Sequence, residues 1–240
     1  MTDQSVARRN FMLAAGTAVA AGLAPQAQAQ APTAPGSAPP TQAAPTSAAP
    51  DTYVTLTPTE AAFIVAAIDT LIPADALSPS ASDCGVALFI DRQLASAWGG
   101  GDKSYRSGPF HAGKPEQGYQ LPLTPREYFA AGIAAANAWS RQYHGKEFDR
   151  LTPAERTAAL KDWEAGKAAF DDFSARGFFE RLLSITMEGF FADPIYGGNR
   201  DKAAWRMIGF PGLPATYANV VDDYYGKRYD APPQSIADFS

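Results

Sequence analysis

The sequence predicts an all-α fold: a single domain of five or six helices with long irregular loops, behind an export signal and a disordered Ala/Pro-rich tether. Three observations carry that prediction. The string Thr-Pro-x-Glu occurs at residues 57–60, 124–127 and 152–155. It combines an N-cap threonine, a proline suited to the first helical position and a glutamate that closes a capping box. Apolar residues recur at helical spacing behind these starts. β-branched residues are sparse and scattered, and no segment alternates convincingly with the period of a strand.

Residues 1–30 read as the signal. Arg8 and Arg9 directly precede an apolar stretch that opens at Phe11 and runs to Ala24, and Ala27-Gln28-Ala29 then supplies an A-x-A cleavage site. These are the three parts of a secretory signal, and the arginine pair selects the twin-arginine route, which accepts folded cargo. Ala7 stands where that signal usually has Ser or Thr, and Leu13 where it usually has Lys. The apolar stretch is short of the roughly 20 residues that cross a bilayer core, so cleavage is expected over a retained anchor. Residues 25–50 hold seven prolines and no charged residue. Such a segment buries too little surface to offset its ordering entropy, so residues 31–50 are expected to be a disordered linker.

The helical domain is expected over residues 51–240. Behind Thr57, the residues Phe63, Ile64, Ala67, Ile68 and Leu71 share one face, and Pro73 ends the run. Asp83 is the expected cap of a second helix carrying Val86, Phe89, Ile90 and Leu94. The start at Thr124 leads into Tyr128, Gly132, Ala135, Trp139 and Tyr143, and the start at Thr152 into Leu160 and Trp163. Ser174 is the expected cap of a helix with Phe178, Phe179, Leu182, Leu183 and Phe190. A short helix is expected from Ala203 to Ile208.

Two long segments lack helical periodicity. Residues 99–123 begin with three glycines and carry Tyr105, Phe110, His111 and Tyr119. Irregular segments of this length within a domain are usually functional or held by a partner. Residues 209–240 carry Tyr217, Tyr224, Tyr225, Tyr229 and Phe239, which suits either a protein interface or a tail wrapped on its own domain.

Composition narrows the function classes. The net charge is -5 and no basic stripe occurs, which argues against nucleic acid as a partner. One cysteine and two histidines, His111 and His144, fit no c-type haem motif, iron–sulfur cluster or structural zinc site. No phosphate-binding glycine loop and no nucleophile elbow is present. Glu180 and Glu188 share a predicted helix near one face, a pattern common on solvated surfaces. Cys84 is open to three readings: a small buried hydrophobe, one half of an intersubunit disulfide, or a thiolate near a helix N-terminus.

One segment is far more specific. Gly189-Phe190-Phe191-Ala192-Asp193-Pro194-Ile195-Tyr196-Gly197-Gly198-Asn199 is followed by Trp205 and by Ile208-Gly209-Phe210-Pro211-Gly212. Physically it is a helix end, an Asp-Pro turn, a Gly-Gly-Asn turn, a short helix and a Gly-Pro turn. This ordered string resembles the small subunit, often called subunit 3, of membrane-bound FAD-dependent gluconate 2-dehydrogenase, and the likeness in order and character covers the folded body. The resemblance implies a three-part complex: an FAD-containing large subunit that oxidises the sugar acid, a multi-haem cytochrome c subunit, and a small subunit that carries the export signal. It implies that this chain has no catalytic residue, binds neither FAD nor haem c itself, engages the twin-arginine translocase, and works at the periplasmic face of the inner membrane. Phe190, Phe191, Asp193, Pro194, Tyr196, Gly197, Gly198, Asn199, Trp205, Gly209, Pro211 and Gly212 are then the family motif and a candidate interface. Alternatives are a free-standing periplasmic enzyme or binding protein, or the same subunit role in a fructose, sorbitol, glucose or 2-ketogluconate dehydrogenase.

Overall fold

The computed structural model describes residues 52–239 other than 112, 115, 116, 172, 214 and 215. The export-signal residues Arg8, Arg9, Phe11, Ala27 and Ala29 and the linker lie outside the described residues. Among the described residues, seven α-helices follow in order: α1 (Pro58–Leu71), α2 (Val86–Ala95), α3 (Pro125–His144), α4 (Pro153–Glu164), α5 (Ala175–Phe191), α6 (Ala203–Ile208) and α7 (Val221–Tyr224). Short 3-10 turns lie at Phe148–Arg150, Pro194–Tyr196, Arg200–Lys202 and Ile236–Phe239. Among the described residues the only β pairing is two isolated bridges, so the fold is all-α as the patterning predicts.

The three Thr-Pro-x-Glu starts all form full capping boxes. Thr57, Thr124 and Thr152 each accept the glutamate backbone N–H and donate their own to its carboxylate. Each box thereby satisfies two backbone donors that the helix itself cannot. Ser174 caps α5 by accepting from the Gly177 N–H at 3.0 Å, as expected. The second helix departs from expectation. Its N-cap is Gly85, not Asp83, at a left-handed φ of 80°. Asp83 instead accepts from the Ser80 hydroxyl one turn earlier. Only glycine serves at residue 85, because a Cβ there would lie 2.4 Å from the Gly197 carbonyl oxygen. Residues 217–224 also contain α7, a single turn too short to leave a periodic signal.

The core is aromatic. Phe63 of α1, Phe148 of the first 3-10 turn, Trp163 of α4 and Phe178 of α5 are each 0% exposed. Phe63 and Phe148 lie 5.0 Å apart between ring centroids, Phe148 and Trp163 5.1 Å. Each buried Phe contributes roughly 1.5–3 kcal/mol, and each such ring pair about 0.5–1.5 kcal/mol more. Buried polar groups fix the connections around this cluster. Asn137 of α3 accepts the Phe148 N–H at 3.1 Å and so anchors the turn that delivers that ring. Asp91 of α2, 0% exposed, accepts three consecutive backbone N–H groups from Val54, Thr55 and Leu56. Asp69 of α1 accepts both the N–H and the hydroxyl of Ser82, fixing the α1–α2 connection.

Candidate functional site

The motif segment begins where α5 ends. The last carbonyls of an α-helix lack partners within it, and the residues that follow supply them. Trp205 of α6 donates its indole N–H to the Phe191 carbonyl at 2.8 Å. Asn199 donates from Nδ2 to the Ala192 carbonyl at 2.9 Å and accepts the Ala204 N–H on Oδ1, also at 2.9 Å. Asn199 is fully buried with φ of 46°. Asparagine tolerates that left-handed geometry better than most residues, and its amide here replaces two backbone partners at once.

The Asp-Pro turn behaves the same way. Asp193 accepts the Ile195 N–H on one carboxylate oxygen and the Ile236 N–H on the other, at 3.0 and 2.9 Å. Pro194 opens the 3-10 turn, and Gly197 closes it. Gly198 is packed against the end of α5: a Cβ on it would lie 2.0 Å from the Gly189 carbonyl oxygen. Gly209 caps the C-terminus of α6 at φ 69°. Phe190 is buried and packs edge-on against Phe191.

The motif binds two other parts of the chain. Towards the α1–α2 connection, the Arg200 N–H donates to the Cys84 carbonyl at 2.9 Å. Towards the C-terminus, Gln234 donates to the Pro211 carbonyl and accepts from Leu213, forming the bridge between Gly212 and Gln234. Lys202 adds bonds to the Pro233 carbonyl and to Asp238. These partners, Ile236, Asp238 and Gln234 above all, carry no periodic or motif signal in the sequence. Residues 233–238 therefore wrap their own domain, whereas Tyr225 stands 86% exposed, and Tyr217, Tyr224 and Tyr229 pack mainly on one another.

Cys84 is brought next to the motif through its backbone only. Its side chain is 1% exposed, with the sulfur directed at the Pro79 carbonyl. Burial, and after it the charge of Asp83, pushes the thiol above its ordinary range. A disulfide to another chain would require the connection around it to open; the packing suits a small buried hydrophobe. Among the described residues no group of three or more His, Cys, Asp or Glu is arranged to hold a metal ion. Glu180 pairs with Arg176, and Glu188 accepts from Ser184. No described helix is long and apolar enough to cross a membrane.

With its polar groups bound internally, the motif presents apolar side chains outward. Ile195, Tyr196, Ile208 and Phe210 are 40–57% exposed, and Phe210 rests edge-on against Trp205. Residues 58–212 match the model of the family described as gluconate 2-dehydrogenase subunit 3. The chain belongs to that family. The subunit 3 match opens on the first residue of α1 and closes on Gly212, the last residue of the motif. The segment that carries the Tyr-rich tail lies beyond it. No curated protein and no solved structure matches the chain.

Proposed function

We propose that this chain is the non-catalytic small subunit of a periplasmic, membrane-associated FAD-dependent dehydrogenase complex of gluconate 2-dehydrogenase type. In that role it supports folding and twin-arginine export of the flavoprotein subunit. The family match over residues 58–212 carries this reading. Two further observations support it. The motif spends its polar side chains on bonds within the chain, which makes it a structural joint. The same joint leaves a set of large apolar side chains facing outward, the kind of surface that a partner covers.

FAD then belongs to the large subunit and haem c to the multi-haem cytochrome subunit. Arg8 and Arg9 form the address that the twin-arginine translocase reads, for this chain and for the flavoprotein folded on it. A flavoprotein must close around FAD before export, which is why a route for folded cargo is the one required.

The test replaces Arg8 and Arg9 by lysine in the full chain and follows the flavoprotein. The expected result is flavoprotein retained in the cytoplasm and gluconate oxidation lost from the membranes. Flavoprotein that still reaches the periplasm and remains active would refute the carrier role.

A further inference from the structure

We infer that residues 233–239 complete a docking face for the FAD-containing large subunit, built jointly with the motif; the choice of occupant rests on the reading under Proposed function. The segment is folded against the usual order of burial. Ser235 is 2% exposed, whereas Ile236 is 37% and Phe239 61% exposed. A segment that served only its own domain would turn the apolar residues in and the serine out. Its inward side is instead polar and closely bonded. The Ser235 N–H donates to Asp238 at 2.6 Å, and the Ile236 N–H to Asp193 at 2.9 Å. Lys202 donates to the Pro233 carbonyl at 3.2 Å and to Asp238 at 2.5 Å. The backbone of Gln234 pairs with Pro211 and Leu213. A Cβ on Gly212 would lie 2.0 Å from the Gln234 carbonyl oxygen and 2.8 Å from the Trp205 ring, so the segment packs tightly there.

These bonds run the segment back along α6. Residue 234 sits beside the chain that leaves the helix, and residue 238 beside Lys202, which precedes it. The 3-10 turn Ile236–Phe239 also packs against the 3-10 turn Pro194–Tyr196. Ile236 and Phe239 therefore join Ile195, Tyr196, Ile208 and Phe210 in one surface. Half-exposed aromatic and isoleucine side chains present about 100 Å² each, so the motif residues offer roughly 400 Å². Ordinary monomers leave patches of about 300–600 Å² uncovered. One side of a standard interface covers about 800 Å², a little over half of it apolar, or roughly 450 Å². The motif alone falls short of that, and the C-terminal residues raise the face to roughly 600 Å².

The chain belongs to a family of subunits, so a partner subunit exists to cover such a face. The net charge of -5 disfavours two other occupants. A second copy would bring two acidic chains together, and an anionic lipid surface would repel one. The clasp on Asp193 and Lys202 also holds Ile236 and Phe239 in place before the partner arrives, which removes an ordering cost from binding. On the reading above, the subunit held through export is the flavoprotein, and this face is where the chain grips it.

The experiment titrates the full chain with the FAD-loaded large subunit and reads the captured FAD by absorbance. The variants are Ile236→Ser combined with Phe239→Ser, Phe239→Ser alone, and Asp193→Ala, which releases the segment while keeping every apolar side chain. Leu77→Ser is the control, at a residue 74% exposed outside the face. Near-UV circular dichroism checks the fold, and Phe239→Ser, exposed and close to the chain end, carries the test if another variant folds poorly. An affinity about tenfold weaker or more in the double variant, and clearly weaker in Asp193→Ala and Phe239→Ser, with Leu77→Ser unchanged, is the expected result. Capture by the double variant as tight as by wild type overturns the inference and leaves the proposed function standing. No capture by the wild-type chain overturns both. A wild-type dimer in light scattering that the double variant breaks gives the face to a second copy, and binding to phosphatidylglycerol vesicles that the double variant loses gives it to lipid; either overturns the inference.

Discussion

Trp205 donates its indole N–H to the carbonyl of Phe191 at 2.8 Å, and this bond joins the last residue of α5 to the interior of α6. Trp205 is 6% exposed, so water cannot replace the donor freely. Trp205→Phe retains an aromatic ring against Phe210 but leaves the Phe191 carbonyl unsatisfied. A loss of about 1–3 kcal/mol is expected. Urea unfolding checks it: the midpoint falls while the slope stays constant, because the surface exposed on unfolding is unchanged.

Asp91 holds the chain that enters the domain. Its two carboxylate oxygens accept from Val54 at 2.7 Å and from Thr55 and Leu56 at 2.8 Å each. Asp91→Asn is nearly isosteric but replaces one acceptor oxygen by an amide that points donors at donors. The expected cost is about 1.5–3 kcal/mol, since the lost bond has an ionised acceptor. Hydrogen exchange localises it: the amides of residues 54–56 lose protection before those of α1 do.

How much of this was legible in the sequence depends on the range of the interaction. The capping boxes at Thr57, Thr124 and Thr152 bond a residue to one three positions on, so the string alone states them. The same holds for Ser174 and Gly177. The start of α2 failed because the choice of Gly85 over Asp83 is made by a carbonyl more than a hundred residues away, that of Gly197. The motif was legible as a string, but its workings were not. Asn199 reaches Ala192 and Ala204 locally, whereas Asp193 reaches Ile236 and Arg200 reaches Cys84 only through the fold.

Cys84 offers a direct reading of how firmly the α1–α2 connection is closed. The sulfur is buried under the loop that Asp69 and Ser82 pin together, and the thiol is held above its ordinary range by burial. The thiolate is the reactive form, so both access and ionisation oppose modification. Ellman's reagent at pH 8 is expected to react with less than about a tenth of the native thiol over minutes and with all of it in denaturant. Asp69→Ala, which releases Ser82, is expected to raise the native rate at least tenfold. A native thiol that reacts as fast as a free one would mean the loop is open in solution.

Tyr128 sets a pH dependence whose sign can be worked out. Burial raises its pKa from 10 to about 12, and the nearby Arg181 charge offsets only part of that rise. A phenol raised in the folded state favours folding while it is protonated in both states. The contribution is therefore complete below pH 10, where the unfolded phenol also keeps its proton, and is lost as pH climbs from 10 to 12. Urea midpoints measured across that window are expected to fall steadily for the wild type and less steeply for Tyr128→Phe, which has no phenol there to ionise. Absorbance at 295 nm gives the matching signature: a tyrosine titration step near pH 12 in the native protein that disappears in the variant.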